Sequence, residues 1–229
     1  MPTLIARRSF AGGLLRCLPF ALVLLAACGD DPAPAEEVPL PAPRPGVYAG
    51  LYPCDGCPGI DVALWLRNDG TFLLEQRYRA GDSTPPAPAH ALGNWEWRPD
   101  EATLELSSGG PARVFDRAKD GALIQRTPSS VEHRLDPDPS RARIDATLRL
   151  RGTARRVGDS YRFRECRTAL DVPVATSGDY RRFRNHYRSV ASGTEAPVEL
   201  VGHFDWDPDG TPAALVIDSF VTLRTTPGC

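Results

Sequence analysis

Methionine is nearly absent from this chain: Met1 is the single one among 229 residues. A methionine-rich copper site is therefore excluded. Lysine is nearly absent too. Lys119 stands alone, every other cation is an arginine, and this bias reads as genomic base composition without functional content. The four histidines, His90, His133, His186 and His203, are scattered, with no H-x-x-H or H-E-x-x-H pattern to hold zinc. Neither a G-x-S-x-G elbow nor a pair of candidate catalytic carboxylates is evident. Nothing in the residues argues for an enzyme. Helical periodicity is scarce, and the formal net charge of −2 is not that of a chain built to hold nucleic acid or an anionic membrane by electrostatics.

The N-terminus reads as an export signal. Arg7, Arg8 and Arg16 supply positive charge, and the apolar run from Cys17 to Ala27 is too short to span a bilayer. It ends in Leu25-Ala26-Ala27-Cys28, which resembles the bacterial lipobox. Residues 1–27 are thus expected to be a lipoprotein signal peptide, with cleavage before Cys28 and acylation of that cysteine. Several acyl chains on one residue anchor durably where one binds marginally. No acid precedes Cys28, so loss of the three arginines moves the net charge from −2 to −5. Residues 28–45 are rich in proline, alanine and acid and cannot form a core. As a tether at ~3.1 Å per residue they would reach roughly 50 Å. Gly29 follows the cysteine and Asp30 comes one place later, which favours outer-membrane sorting, with the folded part facing the periplasm.

Residues 46–135 show short apolar runs separated by turn signals, the mark of an all-β domain. Val47 to Tyr52, Asp61 to Arg67 and Thr71 to Tyr78 come first; Asn68-Asp69-Gly70 between the last two is a strong hairpin signal. His90 to Arg98, Thr103 to Leu106, Ala112 to Arg117 and Ala122 to Arg126 follow, each joined by a short turn. An up-and-down meander of this kind curls into a small barrel. Between the first two strands lies Tyr52-Pro53-Cys54-Asp55-Gly56-Cys57-Pro58-Gly59. Two thiolates at this spacing can grip one soft metal ion or close on each other as a disulfide loop. A thioredoxin motif caps a helix; here Pro58-Gly59 leads into a strand, so no helix dipole would depress a thiol pKa.

Asp136-Pro137-Asp138-Pro139 reads as a boundary, and Arg141 to Asp145 as a polar connector. Residues 145–229 then give three strands, one helix and two strands. Leu148 and Leu150 alternate with Arg149 and Arg151. Tyr180, Phe183 and Tyr187 share one helical face, and Asp207-Pro208-Asp209-Gly210 joins the last pair of strands. Five strands with a helix between the third and fourth is the OB-fold order. Oligonucleotide binding would need arginines interleaved with aromatics in a groove. An exported chain meets little free nucleic acid, so a solvated arginine face is the stronger reading and no nucleic-acid partner is expected. Asp205, Asp207 and Asp209 resemble a calcium loop, but no glutamate follows at the right distance and Pro208 suits a hairpin.

The chain resembles the NlpE-type copper-homeostasis outer-membrane lipoproteins. Gly50 to Ile60 is similar to the family's G-x-L-P-C-A-D-C-x-G-I, and the likeness continues through Asn68-Asp69-Gly70-Thr71-Phe72 and Gly93-Asn94-Trp95. Tyr52 and the Asp55-Gly56 spacer depart from the common pattern without altering the cysteine spacing. Leu150-Arg151-Gly152, Phe163-x-x-Cys166, Gly202-His203-Phe204 and Cys229 are similar to the family's C-terminal half. The resemblance implies a lipocalin-like barrel with Cys54 and Cys57 at its edge, and Cu(I) held by those two thiolates. It implies a Cys166–Cys229 disulfide in an OB-like domain. It also implies a role in copper tolerance, surface sensing and envelope-stress signalling through an inner-membrane sensor kinase of a two-component system. The other reading is a structural or signalling adaptor whose Cys54–Cys57 pair is a staple or redox reporter.

Overall fold

A computed structural model of the chain describes residues 40–81, 84–128, 131–190 and 195–223. The leader, Cys28, most of the tether and Cys229 lie outside them. The described chain is all-β apart from one helix, as the alternating apolar pattern predicts.

Eight strands form a closed barrel: β1 (Gly46–Tyr52), β2 (Ile60–Leu66), β3 (Thr71–Tyr78), β4 (Ala89–Arg98), β5 (Thr103–Ser107), β6 (Arg113–Arg117), β7 (Leu123–Gln125) and β8 (His133–Pro137). Each pairs antiparallel with the next, and β8 returns to β1 with Tyr48 opposite Pro137 and Ala49 opposite Asp136. The β2–β3 turn is set by Asp69, whose carboxylate accepts from the Thr71 amide at 3.0 Å and hydroxyl at 2.6 Å. Inside, Tyr48, Leu64, Leu66, Phe72, Leu104 and Phe115 belong to one apolar cluster.

Alternation fails in β2. Every residue from Val62 to Leu66 is buried. Val62, Leu64 and Leu66 fill the barrel, while Ala63 and Trp65 point outward. With Val47, Leu73 and Leu92 they join the core of the second sheet. The barrel wall is thus covered on both faces here, which is why its sequence reads as a continuous apolar run.

The second sheet contains β9 (Leu148–Val157), β10 (Ser160–Glu165), β11 (Asp171–Pro173), β12 (Glu195–Trp206) and β13 (Pro212–Leu223), in the order β11-β10-β9-β12-β13. A parallel bridge from Val174 to Leu215 brings the third strand of this unit toward the fifth, which is the OB arrangement. Helix α1 (Tyr180–Val190) lies between the third and fourth. Its Phe183 and Tyr187 pack edge-on to Tyr161, with ring centroids 5.2 and 4.9 Å apart. Rings in this geometry gain attraction beyond their buried area.

Two readings of the connecting segment change. The proline-containing stretch begins inside a strand, because Pro137 ends β8. Ile144, within the expected polar connector, is fully buried in the shared core. Polar contacts also tie the sheets together. Arg67 at the end of β2 is 4% exposed and stacks over Trp206 at 4.5 Å. It donates to the Gly210 carbonyl at 3.1 Å. Asn94 donates to the Arg167 carbonyl at 2.9 Å.

Candidate thiol-pair site on the barrel rim

The loop from Pro53 to Gly59 leaves β1 and enters β2. Prolines at 53 and 58 keep it out of the ladder because they lack an N–H. Gly56 has φ of 74° between the two cysteines, a conformation that favours glycine. Gly59, at φ 140°, is pressed so close to Leu51 that a Cβ there would lie 2.5 Å from its Cδ1. This tight reversal holds the Cα atoms of Cys54 and Cys57 5.6 Å apart, and the two sulfurs are joined as a disulfide. Neither cysteine is fully buried, and Pro53, Asp55, Gly56 and Pro58 are exposed.

The loop is seated from one side by β3 and its extension. The Arg79 amide donates to the Gly59 carbonyl at 2.9 Å. The Arg79 guanidinium makes a fork with both oxygens of Asp61. That engages the acid flanking the cysteines on the β2 side and leaves it a poor candidate for a further metal ligand. Asp55 is exposed. On the barrel side, Tyr52 stacks on His133 with ring centroids 4.5 Å apart. Burial pushes the Tyr52 phenol well above its ordinary pKa, and the Arg113 charge offsets this only in part. Leu51 and Tyr78, both substantially exposed, add an apolar margin.

A groove of about 330 Å³ runs along the outer wall beside the loop, lined in part by Leu51, Asp61, Glu75, Arg79 and Arg141. Glu75 is 6% exposed. It accepts from Arg141 of the inter-sheet segment at 3.0 Å and lies 3.3 Å from His90 Nε2. Burial pushes its carboxyl up. The hydrogen bonds from Arg141 and His90, with the charges of Arg141 and Arg77, outweigh burial and hold it below the usual glutamate range. Sequence reading missed this cluster and Arg67. Their partners lie 66 and 143 residues away, and no local pattern encodes them.

The donor chemistry permits a narrow range of metals. Among the described residues, no group of three or more His, Cys, Asp or Glu could hold an ion. A four-coordinate zinc site is thus not formed by them. Two thiolates alone suit Cu(I), a soft ion, but only after the disulfide is reduced, because the thiolate is the ligand. His90 meets Glu75, His133 stacks on Tyr52, His186 lies against Phe220 and His203 meets Asp218 at 3.0 Å, and among the described residues none joins the two cysteines in a three-donor group.

The second cysteine position lies in the turn after β10. Cys166 is disulfide-bonded, while Cys229 lies outside the described residues. The turn is fixed by Glu165, 4% exposed, which accepts from the amides of Arg167 and Thr168 and from the Thr168 hydroxyl. On the outward face of this sheet, Arg149 and Arg151 close on Glu199, and Arg155 and Arg162 on Asp171. Tyr161 and Phe163 are buried on the inner face. The aromatic-and-arginine interleaving that single strands require is therefore not built by β9 and β10. Asp209 accepts from the Thr211 amide at 2.9 Å, the role of a turn residue.

Comparison with known proteins adds four likenesses. Residues 48–130 match the family model described as the NlpE N-terminal domain. The chain is 29% identical over 197 residues to lipoprotein NlpE of Escherichia coli strain K12, covering 82% of this chain and 80% of that protein. Among solved structures, it is similar to the crystal structure of the Cpx pathway activator NlpE from Escherichia coli. That match has 24% identity, 80% of this chain and 96% of the other covered, and a TM-score of 0.34. A putative lipoprotein from Shewanella oneidensis matches at 23% identity over 42% of this chain and 89% of its own, also with a TM-score of 0.34.

Proposed function

We propose, from the match of residues 48–130 to the NlpE N-terminal domain model, that this chain is an outer-membrane lipoprotein of copper homeostasis and envelope-stress or surface sensing. Its anchor is the acylated Cys28 and its signalling partner an inner-membrane sensor kinase of a two-component system. The observation that carries the reading is the Cys54–Cys57 pair, held on an accessible rim loop of a rigid barrel. The likeness to lipoprotein NlpE over most of both chains supports the envelope assignment.

In this reading the pair has two states. Joined, it offers no thiolate and closes a four-residue loop. A periplasmic dithiol supplies two electrons and two protons by disulfide exchange, giving two free thiols on Cys54 and Cys57 and one oxidised dithiol. The thiols then release two protons on binding Cu(I). Gly56 and the two prolines keep the sulfurs near one another in either state, so little chain entropy is lost on closure. Cys166 pairs with Cys229 in this reading, and that second disulfide reports the oxidising power of the compartment.

Metal analysis of the chain isolated anaerobically from cells grown with copper tests this. About one copper per chain is expected, and none in Cys54→Ser/Cys57→Ser. Equal copper in both would remove the thiol pair from the account. One observation favours the adaptor reading instead: the two sulfurs are bonded, and among the described residues no third donor is gathered round them. If the pair resists periplasmic dithiols and the chain isolates copper-free, the loop is a staple and signalling rests on protein contacts alone.

A further inference from the structure

We propose that the outward face of α1 is a docking surface for anionic phospholipid headgroups. The net charge of the chain argues against such a surface, but net charge conceals where the cations are free. On the barrel and the sheet most arginines are matched by carboxylates, with Arg113, Arg117 and Arg164 as exceptions among the described residues. Arg67 pairs with Asp69, Arg79 with Asp61, Arg98 with Glu105, Arg126 with Asp116 and Arg155 with Asp171, all at 2.7 to 2.9 Å. Helix α1 is different. Its sequence, YRRFRNHYRSV, holds four arginines and a histidine and no acid. Among the described residues its one ion pair is Arg182 with Asp179, at 3.9 Å.

The geometry sorts these residues cleanly. Tyr180, Phe183 and Tyr187 are buried, whereas Arg181, Arg182, Asn185, His186 and Arg188 are exposed. Arg184 leans over the Tyr180 ring at 6.0 Å. The outward face therefore carries fixed positive charge and, among the described side chains, no apolar residue to insert into acyl chains. Guanidinium forks match phosphate oxygens in bidentate fashion. A chain of this kind would lie on the headgroups, attracted by charge and sensitive to salt. The proposal rests on the lipoprotein reading in one respect: acylation at Cys28 is what keeps a bilayer within reach. A basic face is the second contact that lets an anchored protein lie down on its membrane.

The test uses residues 28–229 with Cys28→Ser, which contain the whole compact unit 38–229 and carry no acyl group. A failure of lipidation therefore cannot be mistaken for a failure of the surface. Flotation with phosphatidylglycerol–phosphatidylethanolamine vesicles at low salt is expected to show binding that is lost on pure phosphatidylcholine. R181Q/R182Q/R188Q is expected to bind roughly 100-fold more weakly, from about fivefold per arginine, with an unchanged circular dichroism spectrum. R98Q/R126Q/R134Q, which removes the same charge from the barrel, should bind as the parent does. The proposal is overturned if the helix variant binds like the parent, or if the barrel variant loses as much. It is also overturned if a single-stranded oligonucleotide binds more tightly than the vesicles with the same dependence on these arginines, which would make this a nucleic-acid surface.

Discussion

Replacing Arg67 by alanine removes the polar clasp between the barrel and the second sheet, and the structure allows its size to be worked out. The side chain is 4% exposed. One terminal nitrogen donates to the Gly210 carbonyl at 3.1 Å and also meets Asp69 at 2.9 Å, and the other donates to the Thr71 hydroxyl. A hydrogen bond to a charged donor contributes about 1.5–3 kcal/mol. The stack over Trp206 at 4.5 Å adds ~1–2 kcal/mol in a desolvated setting. Two things subtract. Burial lowers the guanidinium pKa, with Asp69 offsetting it only in part, so the charge is held at a cost. Nε is buried without a partner. The net expectation for Arg67→Ala is a loss of about 3 kcal/mol, or roughly 6–12 °C in Tm for a unit of this size. Arg67→Met keeps the apolar stem between the tryptophans and removes the buried charge, so it should cost about 1 kcal/mol or less. Thermal melts followed by tryptophan fluorescence read both. Arg67→Ala within ~0.5 kcal/mol of the parent, a surface-like value, would refute the clasp. So would Arg67→Met proving worse than Arg67→Ala.

Glu75 makes stability depend on acid pH. Its folded pKa lies below the 4.5 of the free side chain, so its contribution is full above that value and is lost as pH falls through the folded pKa. Glu75→Gln should cost roughly 1–2 kcal/mol at pH 7, and the gap should narrow as the pH is taken below the free side chain's 4.5; urea titrations in progressively more acid buffer that show the same gap throughout would contradict this. Gly59→Ala should lower stability by about 1–2 kcal/mol, because its φ and the Leu51 contact both resist a Cβ; a melt indistinguishable from the parent would show that the loop relaxes freely. Phe183→Ala should cost ~3–5 kcal/mol by emptying the aromatic cluster under α1, with chemical denaturation as the readout and a loss below 1 kcal/mol as the contrary result.

What was legible in the sequence was local. Asn68-Asp69-Gly70 and Asp207-Pro208-Asp209-Gly210 specify their turns through glycine φ and carboxylate-to-amide bonds, and both hairpins form at those places. Tyr180, Phe183 and Tyr187 give the helix by their spacing. The closing strand β8 was not legible, because His-Arg-Leu-Asp-Pro offers one apolar residue and ends in proline, and its pairing with β1 is set by barrel closure. The contact between the two sheets did leave a trace. The unbroken apolar run of β2 is too long on both faces for a barrel wall that meets water outside. Arg67 and Glu75 left none, since a buried charge looks like any other charge until its distant partner is placed.

The most direct measurement is competition titration of Cu(I) into residues 28–229, Cys28→Ser, with Cys54–Cys57 either reduced or joined. The account predicts one tightly held equivalent in the reduced chain. It predicts none in the joined chain and none in reduced Cys54→Ser/Cys57→Ser. Equal uptake by all three, or none by the reduced chain, would contradict a thiol-pair copper site on the barrel rim.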